Sequence, residues 1–117
     1  MENNQSNPIV QAFIFETETM LEQIEQILLD CEENKSFTED DVNEIFRIMH
    51  TIKGSSGIMK YDNVMKVSHK LEDIFFYLRE NLGTQEYHSE LTDVVFQVLD
   101  YIFQDIFLDS FYLLYNF

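Results

Sequence analysis

At 117 residues the chain can build one domain with a real core, and three glycines, one proline and no long alternating run point to an all-α fold. A formal charge of −15 disfavours nucleic acid or an anionic membrane as a partner. The single cysteine, Cys31, excludes an internal disulfide and fits a reducing, cytoplasmic setting.

Met1 to Asn7 is polar and expected to fray. No basic start, apolar run and small-residue cleavage site follow one another there, so no signal peptide is expected. Asn7 as N-cap and Pro8 at the first helical position open a helix over about 8–33. Phe13, Thr17, Met20, Leu21, Ile24, Ile27, Leu28 and Cys31 recur at three and four and mark its core stripe. Its outer face carries Glu16, Glu18, Glu22 and Glu25, read as solvated surface. Thr38, with Asp41 three residues on, predicts a capping box for a second helix over about 39–59.

That second helix has two faces of different chemistry. Val42, Ile45, Met49, Ile52, Ser56 and Met59 form a core stripe, whereas His50, Gly54 and Gly57 cluster roughly 110–170° away, on the solvent side. Lys53 stands on the boundary. Each glycine inside a helix costs on the order of 1 kcal/mol relative to alanine. Two of them at i+4 and i+7 from an outward histidine clear side chains from the imidazole, which suits a ring that another macromolecule must reach. The basic residues gather here too. Arg47, Lys53, Lys60, Lys66 and Lys70 fall between positions 47 and 70, where Asp62 is the only acid. Such an island would draw an anionic partner to one face of an acidic chain.

Lys60-Tyr61-Asp62-Asn63 reads as a tight turn, with Asp62 or Asn63 capping a third helix over about 63–81. Val64, Ser68, Leu71, Phe75, Leu78 and Leu82 form its core stripe. His69 lies on its outer side and Glu72 on the boundary. If the second and third helices pack antiparallel, the Lys53 and Glu72 shoulders meet beside His50. Leu82-Gly83-Thr84-Gln85 is a stop and loop. Ser89-Glu90 opens a fourth helix over about 89–109, with Leu91, Val95, Val98, Ile102 and Ile106 at helical spacing. Asp93, Asp100, Asp105 and Asp109 make this apolar stretch a poor membrane span. Residues 110–117 form an aromatic tail, either an extension of that helix or an extra helical segment. The expected architecture is an up-down-up-down antiparallel four-helix bundle.

His50-Thr51-Ile52-Lys53-Gly54-Ser55-Ser56-Gly57 resembles the motif H-x-x-K-G-[SG]-[SA]-x of histidine-phosphotransfer domains. With Ile45-Phe46-Arg47 before it and Ser68-His69-Lys70-Leu71-Glu72-Asp73 after it, the chain is most similar to the N-terminal phosphotransfer domain of the chemotaxis histidine kinase CheA. The likeness is tight from Val42 to Arg79, a matter of pattern over Pro8 to Glu33, and weak after Ser89. Members usually carry glycine where Lys60 stands, and glycine there would suit a positive φ.

A phosphoryl-accepting histidine needs an exposed, unprotonated ring nitrogen, a group fixing its tautomer, and a cation near the incoming oxygens. Glu72 is suited to accept Nδ1–H from His50, leaving Nε2 as the nucleophile. Lys53 would supply the positive charge, and His69, one turn before Glu72, would join the hydrogen-bond network. The resemblance implies the same four roles. Arg47, Gly54, Gly57, Lys60, Lys66 and Lys70 would then face partners. Those partners are an ATP-bound kinase domain that phosphorylates His50 and the receiver of a response regulator whose aspartate takes the group on. The domain would be a monomeric phosphoprotein, no enzyme by itself and without a cofactor. ATP would sit in a separate domain of a longer histidine kinase of which this is the N-terminal part.

Competing readings are weaker. Lys53-Gly54-Ser55 lacks the preceding glycine-rich loop of a nucleotide site and falls in mid-helix. A metal held by His50, His69 and Glu72 would have a lysine intruding, and no H-x-x-x-H or E-x-x-H pair supports it. The five methionines read as core filler and His88 as a solvated loop residue. A freestanding relay protein and a non-catalytic helical adaptor are the alternatives, and an adaptor has no need of the Lys53, Gly54, Gly57 and Glu72 arrangement.

Overall fold

The computed structural model describes residues 8–82 and 87–115, the side chains of 109–115 excepted. Four helices follow in chain order: α1 (Pro8–Asn34), α2 (Glu39–Ile58), α3 (Asp62–Glu80) and α4 (Ser89–Tyr115). No strand occurs among the described residues. Each helix packs on the next and α4 returns to α1, so the four close a bundle in which α2 and α4 are diagonal. The expected cap at Asn7 and stop at Gly83–Gln85 lie outside the described residues.

The core is the sum of four apolar stripes. Ile24 and Leu28 of α1, Val42, Ile45, Met49 and Ile52 of α2, Val64 and Phe75 of α3, and Val95, Ile102 and Ile106 of α4 are fully enclosed. Each large aliphatic or aromatic side chain so buried contributes about 1.5–3 kcal/mol. At the α1–α2 end, Phe37 meets Phe75 edge-on at 6.2 Å and closes the bundle.

Local signals set the helix ends. Thr38 Oγ1 accepts from the Asp41 amide, and the Asp41 carboxylate accepts from the Thr38 amide, which completes the capping box that opens α2. Both α1 and α2 stop at a lysine in the left-handed region, Lys35 at φ 55° and Lys60 at φ 67°. After each, an amide reaches back to the carbonyl five residues earlier, Ser36 to Cys31 and Tyr61 to Ser56. These are Schellman closures, made here without the glycine that avoids about 1–2 kcal/mol of left-handed strain.

Two expectations from the sequence are corrected. Neither Asp62 nor Asn63 caps α3; Tyr61 holds the N-cap position and makes no side-chain cap bond. Its amide is spent on the α2 closure and its ring packs on Phe13 at 5.0 Å, so tertiary packing fixes this junction and leaves Asp62 in the first turn. The fourth helix runs past 109 to Tyr115, so of the two readings of the aromatic tail the extension holds as far as that residue. Its stripe is what is corrected, for the helix is turned: Thr92 and Leu99 are buried, while Leu91 and Val98 reach only the edge of the core. Among the described residues no helix is long and apolar enough to cross a membrane.

Candidate functional site

His50 projects from the middle of α2 with its side chain 64% exposed. The hydroxyls next to it turn back onto their own helix. Thr51 Oγ1 donates to the Arg47 carbonyl and Ser55 Oγ to the Thr51 carbonyl, each at 3.0 Å. Neither competes for the ring. At Gly54 an added Cβ would meet nothing within 4 Å, so the space one turn beyond His50 is open.

The antiparallel packing of α2 on α3 brings Glu72 against this ring. Its Oε2 lies 2.5 Å from His50 Nδ1, and its Oε1 lies 2.6 Å from Lys53 Nζ. One carboxylate therefore joins both residues of α2. The Glu72 side chain is only 10% exposed, covered by its two partners near the bundle surface. Burial alone would raise its pKa, but the bonds and charges of Lys53 and His50 outweigh that and hold it below the usual carboxylate value. An ionised carboxylate can only accept, so the proton of the 2.5 Å contact belongs to His50 Nδ1. In the neutral ring Nε2 is then the nitrogen with the lone pair, on an imidazole anchored from behind.

Phe46, Phe76 and Arg79, none of them among the expected site residues, gather beside the histidine through Phe46. Phe46, one turn earlier on α2, stacks on the His50 ring at 6.5 Å and 15°. The Arg79 guanidinium lies over Phe46 at 4.5 Å and over Phe76 at 5.1 Å. The i−4 spacing of Phe46 from His50 and the i+7 spacing of Arg79 from Glu72 were the available signals. Phe46, Phe76 and Arg79 thus form one aromatic and cationic cluster between α2 and α3, with Phe46 as its contact to the histidine.

Other expected members of the site stand differently. His69 does not join the Glu72 network; its Nε2 pairs across one turn with Asp73 at 3.8 Å, because its position points it outward from α3. Gly57 is not on open surface. A Cβ there would come within 3.2 Å of Met65 Sδ, so the glycine lets α3 approach α2. Lys53 Nζ rests on Glu72 and not above the ring. Arg47 is paired with Glu44 on its own helix. Lys60, Lys66 and Lys70 are exposed around the α2–α3 turn. No group of three or more His, Cys, Asp or Glu side chains is placed to hold a metal ion among the described residues. The buried Cys31 thiol donates to Asp41 at 3.4 Å, and burial with that neighbouring carboxylate pushes it up to about 12, which leaves it inert.

The Hpt domain model matches residues 8–104, most of the chain and all of the site. The chain belongs to the Hpt domain family. Its relatives include the sensor histidine kinase CheAY of Helicobacter pylori, 34% identical over 92 residues. The chemotaxis protein CheA of Halobacterium salinarum and that of Bacillus subtilis are each 31% identical, over 91 and 96 residues. These alignments cover 78–82% of this chain but only 11–14% of the relatives, matching their N-terminal Hpt region. No solved structure matches it. As an Hpt domain it is a phosphotransfer module rather than a catalytic domain, and it is similar to the Hpt regions of CheA-type chemotaxis kinases.

Proposed function

We propose that His50 accepts a phosphoryl group from ATP bound to a separate kinase domain and passes it to an aspartate of a response-regulator receiver. In the first step Nε2 attacks the γ-phosphorus, an N–P bond forms, and the P–O bond to ADP breaks. In the second step the aspartate oxygen attacks phosphorus and the N–P bond breaks, returning the lone pair to Nε2. Glu72 keeps the proton on Nδ1 through both steps and stabilises the positive charge that the ring develops. Lys53, on a flexible stem, would leave Glu72 Oε1 to meet the phosphoryl oxygens when they arrive. The outer lysines steer the anionic partner toward this face.

The observation that carries this reading is the His50–Glu72–Lys53 bridge beside open space at Gly54. A helical adaptor would have no use for that arrangement. The small share of its relatives that the chain spans supports a place inside a longer kinase, with the ATP site elsewhere in that chain. The test is incubation with a CheA-type kinase core and γ-labelled ATP. Label should appear at one site, acid-labile and base-stable, and His50→Gln should abolish it. Label that survives the substitution, or that maps to His69 or His88, overturns the assignment.

A further inference from the structure

The strongest feature that phosphotransfer leaves unused is the outward face of α4. A helix that is apolar on more than one side is normally covered on more than one side. Here α4 spends one stripe on the core and presents a second. Val94, Tyr101 and Leu108 recur every seven residues and are 47%, 44% and 65% exposed. Leu91, Val98 and Asp105 alternate with them, each only partly covered. The spacing of the two sets is the three-and-four seam by which one helix accepts the knobs of another.

The charges around the seam select the occupant. No lysine or arginine occurs in α4, nor anywhere after Arg79, and α1 beside it has none either. Gln97 and Gln104 edge the seam on its solvent side, and Asp93 and Asp100 are exposed beyond them on the same outer side of α4. Asp105 stands within it and has no ion pair among the described residues. A second copy of this chain would bring together two acidic helices with no cation between them, and its net charge of −15 opposes that association. A cation facing Asp105 would instead fix the register, as a buried polar residue does in a coiled coil. We propose that the outer face of α4 docks a basic amphipathic helix, with apolar residues on the Val94–Tyr101–Leu108 seam and lysine or arginine opposite Asp105. α4 lies diagonally across the bundle from α2, so this site is separate from His50 and could be occupied together with it.

The experiment titrates the 117-residue chain with a synthetic 21-residue heptad peptide bearing apolar seam positions, flanking lysines and one central seam lysine. Amide chemical shifts and calorimetry report binding. The lysine peptide should perturb the outer face of α4, and its glutamate counterpart should not bind. Tyr101→Gln and Val94→Gln, both at exposed positions, should each weaken binding at least tenfold without changing the far-ultraviolet dichroism. Asp105→Lys should reverse the preference toward a peptide with glutamate at the central seam position. Wild-type affinity in either glutamine variant, an unreversed preference, or shifts centred on α1 would overturn the proposal. So would a dimer of the chain that Tyr101→Gln dissolves, which would give the seam to a second copy.

Discussion

The α2–α3 pair and the α1–α4 pair are built by the same rule and put to different ends. Both bury a three-and-four stripe of aliphatic residues against a shared core. The α2–α3 pair then adds chemistry: six of the seven basic residues, the histidine, the bridging carboxylate and a glycine that lets the two helices close up. The α1–α4 pair adds no cation, carries acids on its outer faces, and leaves apolar side chains in solvent on α4. Stability is thus distributed over four helices, whereas the candidate site is built on two. That separation can be broken by experiment from either side.

The largest expected effect is on stability, through the half that has no chemistry. Ile24 of α1 is fully buried, and Ile24→Ala should cost about 2–5 kcal/mol in denaturant unfolding. The phosphorylation rate per folded molecule should not change. Glu72→Gln should do the reverse, slowing phosphorylation by about 10–100-fold, as loss of an orienting partner does elsewhere. Nitrogen NMR should show the proton of His50 redistributed between its two ring nitrogens.

The same residue sets a pH dependence. The folded pKa of Glu72 is depressed below the ordinary value of 4.5, so its pairing stabilises the fold above that value. This contribution is lost as the pH falls through the lower, folded value. Acid titrations of the wild type and of Glu72→Gln should therefore diverge above 4.5 and converge below the folded pKa.

Smaller effects sharpen the comparison within the α2–α3 pair. Lys53→Gln should lower the maximal transfer rate at saturating partner. Glutamine at Lys60, Lys66 and Lys70 should instead lower the apparent second-order rate and flatten its salt dependence, because rim charges act over a Debye length of about 10 Å. If both substitutions give one pattern, the division between a reacting cation and a steering patch fails. Smallest is Gly54→Ala. With nothing within 4 Å of the added carbon, it should stabilise α2 by about 1 kcal/mol and yet slow transfer by obstructing approach to His50.

Most of the fold was legible because it is written in local signals. The period of three and four in α1, α2 and α3, and the Thr38–Asp41 box, each require only near neighbours to read. The meeting of Lys53 and Glu72 followed from two boundary positions and a short turn. What was not legible depends on tertiary choices. Leu91, Val95 and Val98 fit a stripe as well as Thr92, Val95 and Leu99 do on a helix rich in apolar residues, and only packing on α1 decides. Gly57 reads as surface until Met65 is set against it. His69 differs from a network member by its direction alone. Lys60 adopts the left-handed turn that glycine would favour, since the closure from Tyr61 to Ser56 holds it there.

The central claim is that Glu72 holds the Nδ1 proton and so makes Nε2 of His50 the phosphoryl acceptor. The direct test is NMR of the phosphorylated chain carrying nitrogen-15 histidine. The expected result is phosphorus coupling at Nε2 of His50, with Nδ1 still protonated. Phosphorus on Nδ1, or on His69 or His88, would contradict it.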